Sequence, residues 1–152
     1  MSNKIRIDRI DREILLQLQR DGRLSNVELA RRVGLTPPPC LRRVKRLEDS
    51  GVITGYRAVI NQAAVGRGLD VLIDIDIAAN DLHTVEAFEA TMAGYEEVIE
   101  LRRMFGRPDY IIRVAVADHA AYEAFQTTKI LGLPGVLHVT SHLTMKKIKT
   151  DD

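Results

Sequence analysis

Cysteine is nearly missing from this chain. Cys40 stands alone among 152 residues, which excludes an internal disulfide and makes the cytoplasm the expected compartment. Long apolar runs are missing too: none approaches the roughly 20 residues that span a bilayer, so no membrane partner is expected. The opening MSNKIRIDRIDRE carries a charge every two or three residues and reads as no secretory signal. Phosphate-binding glycine loops, Walker motifs and serine elbows do not occur. His138 and His142 have a spacing that suits a metal on a helix. They fall in an expected strand, however, where roughly 13 Å would separate them, so no metal or cofactor is expected. Asp74 and Asp76 share a strand face as solvated or interface groups. These absences leave no support for an enzyme. The length suits one ordinary domain or two small ones.

What is present is an uneven division of charge. Residues 1–68 carry 14 Lys and Arg against 7 Asp and Glu, a balance of +7, and the remainder carries −6. A basic half suits a polyanion and leaves the other half for different work. The basic half reads as three helices. Ile10, Ile14, Leu15 and Leu18 fall on one helical face over about residues 8–20, with Asp8 and Asp11 in the first turn and Gly22 as the stop. Ser25 and Glu28 form an expected capping box for a short second helix that packs Leu29, Ala30 and Val33 and ends at Gly34. Thr36 caps a third helix, and Pro37, Pro38 and Pro39 occupy its first turn, where missing N–H groups cost little. On that helix Cys40, Leu41, Val44 and Leu47 span an arc of roughly 120°. Arg42, Arg43, Lys45 and Arg46 span roughly 160° on the other side. Two helices joined by a tight turn, the second basic outside, make a helix-turn-helix whose second helix enters the DNA major groove. The expected DNA contacts are Ser25, Asn26, Thr36, Pro37, Pro38, Arg42, Arg43, Lys45 and Arg46. Residues 52–60 suggest two short strands, a wing or a lead into the next domain.

Residues 61–68 read as a hinge, which places the expected domains at 1–60 and 69–152. Val71, Ile73, Ile75 and Ile77 alternate with Asp70, Asp74 and Asp76, a half-buried strand. Asn80 or Asp81 caps a helix carrying Val85, Phe88 and Met92. Strands follow at about Val98–Met104 and from Tyr110 to Val116, then a helix from Asp118 to about Leu131, then a strand over about 136–147. This β-α-β-β-α-β order is ferredoxin-like, with both helices on one face of an antiparallel sheet. Leu72, Val98 and Leu143 are expected on the other face, which a second subunit would cover. The fold class is therefore α+β, a winged helix-turn-helix followed by a ferredoxin-like domain.

Asp8 to Asp11, Asp21-Gly22-Arg23, Ser25 to Leu29, Arg32 to Leu35, Thr36 to Cys40, Val44 to Glu48, Gly106 with Asp109-Tyr110, and Leu133 to Val136 together resemble the Lrp/AsnC (leucine-responsive, or feast-famine) regulators. The resemblance covers nearly the whole chain. It implies homodimers joined through the C-terminal domains, assembly up to octamers, and an amino-acid effector bound between dimers near the turn after the second strand. By resemblance Asp109 would hold the effector's ammonium, and Gly106 and Arg107 would offer N–H groups to its carboxylate. Tyr110, Leu133, Gly135, Val136 and Thr140 complete the implied site. The family commonly has an acidic residue where Arg107 stands, followed here by Pro108. That departure implies either an effector with an anionic or polar side chain, or loss of effector binding. The expected function is a sequence-specific transcriptional regulator modulated by an amino acid. An architectural DNA-wrapping protein and a small-molecule-binding enzyme subunit are the alternatives.

Overall fold

The structure is a computed structural model that describes residues 6–78 and 81–149. It divides into two compact units, Met1–Val59 and Ile60–Asp152.

The first unit is built from α1 (Arg9–Arg20), α2 (Asn26–Arg32) and α3 (Pro37–Asp49). Asp8 starts α1 through a reciprocal cap: its carboxylate accepts from the Asp11 N–H, and the Asp11 carboxylate accepts from the Asp8 N–H. Ser25 caps α2 by accepting from the Glu28 N–H, but the expected return bond is absent. Glu28 turns instead to Arg31 and Arg32 along the helix, at 2.7 and 2.8 Å, because two cations outcompete one backbone donor. Pro37 does begin α3. Ile14, Leu29, Ala30, Cys40 and Leu47 close the core between the three helices. Leu41, expected in that core, is 56% exposed.

No strand forms between Val52 and Asn61. Val52 and Ile53 pack on the helical core, and both backbone N–H groups bond to the Leu47 carbonyl. Tyr56 bonds Glu48 through its hydroxyl and covers Gly22. The segment's apolar and polar groups are thus spent on the helices, and an isolated hairpin would gain less.

The second unit opens with a short 3₁₀ turn, Ala63–Val65, inside the expected hinge. It comprises β1 (Leu69–Ile77), α4 (Leu82–Ala93), β2 (Val98–Arg103), β3 (Tyr110–Val116), α5 (His119–Phe125) and β4 (Val136–Leu143). The antiparallel sheet has the order β2-β3-β1-β4, the ferredoxin-like arrangement. Asp81 caps α4, and Asn80 lies outside the described residues. After α5 the chain widens into a π turn, Gln126–Ile130, closed by the Leu131 N–H on the Gln126 carbonyl. Val71, Ile73 and Ile75 of β1 and Ile112 and Val114 of β3 lie under Phe88, Met92, Tyr122 and Phe125. No described helix is long and apolar enough to cross a membrane.

On the face of the sheet away from the helices, Leu72, Met104, Ile111, Glu100, Arg102 and Arg113 line a shallow depression of about 200 Å³. Of the three residues expected there, only Leu72 is present. The register breaks between Val98 and Glu100, which leaves Val98 opposite Val114 on the core side. Leu143 pairs with Val71, so it too lies on the helix side, exposed at the sheet edge.

Candidate functional site

The basic helix α3 does not present four equivalent cations. Arg42 and Lys45 are exposed and, among the described residues, without an ion-pair partner. Arg43 Nη1 lies 2.7 Å from Asp8 Oδ2 and 2.8 Å from Asp11 Oδ1, and Arg46 Nη2 bonds Asp11 Oδ2. Asp11 is fully buried, so its charge requires these two partners. The Asp11 N–H, then the Arg43 guanidinium, hold the Asp8 carboxyl down at about 2. The four expected cations are therefore not equivalent: Arg42 and Lys45 stand free, while Arg43 and the still half-exposed Arg46 reach across to carboxylates at the start of α1. Arg43 sits at one margin of the basic arc and Arg46 next to it, on the side where α1 competes with solvent.

The remaining expected contacts divide the same way. Ser25 is spent on its cap. The Asn26 amide donates to the Pro37 carbonyl at 2.8 Å, tying the start of α2 to the start of α3. The Thr36 hydroxyl makes no cap bond, and Pro37 and Pro38 are exposed. Thr36, Pro37, Pro38, Leu41, Arg42 and Lys45 are exposed with no side-chain bond among the described residues, whereas Ser25 and Arg46 are exposed but bonded within the motif. Sequence periodicity assigns Leu41 to the core; its place at the edge of the apolar arc, roughly 40° from Lys45, is the signal for the other reading.

A second group of expected residues gathers at one end of the sheet, where β1 and β2 finish and β3 and β4 begin. Asp109 Oδ2 accepts the Ile77 N–H at 2.8 Å, and the Ala78 N–H bonds the Gly135 carbonyl. The pairing order places Asp109 and Gly135 on either side of the end of β1. Gly106 turns the chain between β2 and β3 at φ +122°, and Gly135 stands at φ +84°, conformations that favour glycine. Arg107 is exposed in that turn.

Tyr110 does not belong to this surface. It is buried against Phe88 with ring centroids 4.8 Å apart, and its hydroxyl donates to Glu89. Burial, then Glu89, pushes its phenol up to about 12. Leu133 and Val136 pack against the core as well, Val136 opposite Ile77 at the start of β4. Thr140 is exposed opposite Asp74, and His142 Nε2 lies 3.0 Å from Asp74 Oδ2. Among the described residues no cluster of three or more His, Cys, Asp or Glu has the arrangement of a metal site.

Residues 7–54 match the winged helix-turn-helix DNA-binding family, and residues 70–152 match the Lrp/AsnC ligand binding domain. The leucine-responsive regulatory proteins of Haemophilus influenzae and Escherichia coli K12 are each 41% identical over 94% of the chain, covering 86% and 87% of their own lengths. A Neisseria meningitidis transcriptional regulator solved with L-methionine superposes with TM-score 0.91 at 36% identity. That match covers 95% of this chain and 94% of the other. An AsnC family regulator from Agrobacterium tumefaciens gives 0.88 at 36% identity, with 94% and 93% covered.

Proposed function

The chain belongs to the Lrp/AsnC family of transcriptional regulators, and on that premise we propose how this DNA-binding regulator, not an enzyme, divides its work. The Met1–Val59 unit reads duplex DNA and the Ile60–Asp152 unit binds an amino-acid effector and a second copy of the chain. The observation that carries the reading is the pair of open cations on α3, Arg42 and Lys45, beside exposed Leu41. In the major groove Arg42 reaches a guanine edge, Lys45 a phosphate, and Leu41 a thymine methyl. Thr36 offers its hydroxyl to the backbone of the duplex.

Effector binding belongs at the sheet end that carries Gly106, Arg107, Asp109 and Gly135. The L-methionine complex of the Neisseria regulator supports an amino acid as the ligand class. The Asp109 carboxylate suits an ammonium group, and exposed Arg107 suits an anion. The face holding Leu72, Ile111 and Met104 suits a second copy, giving a homodimer that places two recognition helices on two half-sites. Further assembly to octamers and action in the cytoplasm follow the same family reading.

The test uses the full chain and a duplex selected by it from a random pool, with binding followed by fluorescence anisotropy. Arg42→Ala should weaken binding to the selected duplex by about 1–3 kcal/mol and relax one base position. Lys45→Ala should weaken all duplexes alike and flatten the salt dependence by about 0.9 in slope. Unchanged binding in both variants would refute the assignment of α3. Titration calorimetry with the twenty amino acids, methionine first, tests the effector. No heat from any of them would remove the sensing role.

A further inference from the structure

We infer that Asp11, assisted by Asp8, is a positioning residue for DNA recognition: it pairs with Arg43 and the half-exposed Arg46 of α3 and so weakens their pull on phosphate, leaving discrimination between sequences to Arg42. This rests on the reading of α3 as the DNA element. The supporting geometry is specific. One carboxylate, fully buried in α1, binds two guanidinium groups one helical turn apart on α3. A second carboxylate, the N-cap of the same helix, binds the first of these guanidiniums from the solvent side. The four groups form a network in which every charge has an opposite charge in contact. The carboxylates are supplied by the first turn of α1, where the reciprocal backbone bonds of Asp8 and Asp11 fix their direction.

A helix bearing four free cations would bind any duplex, since phosphate attraction is independent of sequence. Affinity of that kind lowers the ratio between specific and non-specific sites, and that ratio governs regulation. Internal carboxylates that occupy two of the cations lower the non-specific term. They leave the base-reading side chains untouched. The bonds from Arg43 and Arg46 to Asp11 also tie α3 to α1, so the helix keeps a fixed orientation relative to α1.

The experiment compares a random-sequence 30-base-pair duplex with the duplex selected by the unmodified chain, measuring affinity against KCl concentration. Asp11→Asn keeps an acceptor for the Asp8 N–H and removes the charge. Release of two cations should steepen the salt slope on the random duplex by about 1–2, since each phosphate neutralised contributes roughly 0.9. Affinity for the random duplex at low salt should rise at least tenfold, and the ratio of selected to random binding should fall. Adding Arg43→Gln and Arg46→Gln to Asp11→Asn should return the slope to its original value. Asp49→Asn, which removes an exposed carboxylate that pairs with no cation among the described residues, controls for the general field. Should Asp11→Asn not fold, Asp8→Asn serves, because asparagine also caps helices and only Arg43 loses a partner. Its slope should steepen by about half as much.

An unchanged slope, a parallel loss of both affinities, or an equal change in Asp49→Asn would each overturn the inference. If instead Arg42→Ala and Lys45→Ala leave both slopes unaltered, the DNA assignment of α3 is at fault and not the clamp.

Discussion

Asp109 holds the end of β1 in this structure and, in the proposed reading, would also meet the effector's ammonium; substitution separates the two. Its carboxylate accepts the Ile77 N–H at 2.8 Å at the end of β1, a half-buried bond to an ionised acceptor. Such bonds contribute about 1.5–3 kcal/mol, and Asp109→Ala leaves the donor without its partner. A loss near 2 kcal/mol in the Ile60–Asp152 unit lowers its melting temperature by about 10 °C. Asp109→Asn keeps an oxygen for the Ile77 N–H and should cost less than about 1 kcal/mol. It removes the charge that the effector's ammonium would meet, so affinity should drop roughly tenfold or more. The assay is thermal denaturation followed by circular dichroism at one fixed protein concentration, since assembly makes melting concentration-dependent. Calorimetry with the effector accompanies it. DNA binding without effector should be unaltered in Asp109→Asn. An alanine variant as stable as the original would refute the backbone role. An asparagine variant that binds effector normally would refute the ammonium role.

Asp8 and Glu28 are both held at about 2, Asp8 first by the Asp11 N–H and Glu28 first by Arg31. Each takes up a proton more readily when unfolded, near 3.8 and 4.5, so their stabilisation is complete above about pH 4.5 and drains as pH falls toward 2. Urea midpoints between pH 5 and 2 should therefore fall less steeply in Asp8→Asn and Glu28→Gln than in the unmodified chain, and the difference should shrink in high salt because both groups are exposed. Ile73→Ala, fully buried under α4 and α5, should cost about 2–5 kcal/mol in urea denaturation. Leu72→Ala, one residue away on the open face, should cost under about 1 kcal/mol within a subunit and should weaken association by sedimentation; equal effects on folding would contradict the assigned faces. Cys40 is fully buried and burial pushes its thiol up, so a thiol reagent should label it only after denaturation.

Sequence periodicity revealed most of the fold because each element answers to one face. Val71, Ile73 and Ile75 alternate with polar or open-face residues, and Val85, Phe88 and Met92 recur at helical spacing; burial follows both patterns, with Ile77 at the end of β1 only partly buried. The boundaries set by Ser25, Gly34, Asp81 and Asp118 are local chemistry and equally readable. What periodicity hides is competition between elements. A helical wheel assigns Arg43 and Arg46 a direction about their own axis and says nothing of carboxylates on α1 more than thirty residues earlier. Leu41 was misassigned for the same reason, because the packing arc is decided by where α1 and α2 lie. Val98 and Leu143 changed sides because strand register depends on a bulge and on pairing partners that a single strand does not encode. At the sheet end proposed for the effector the sequence marked turns at Gly106 and Gly135, but not that Tyr110 points inward, since β3 is apolar on both faces near its start.

The widened winding that follows α5 amounts to one surplus residue inside an otherwise regular coil. A chain shortened by one position between Gln126 and Ile130 would close ordinary four-residue rings there, whereas the same deletion within β1 or β3 would turn every later side chain of that strand to the opposite surface. Among the regular elements of this unit, loss of a residue is therefore best absorbed at this spot, immediately before the loop that delivers Gly135 to the end of the sheet. An insertion or loss here resets the phase of that loop while leaving the four strands in register.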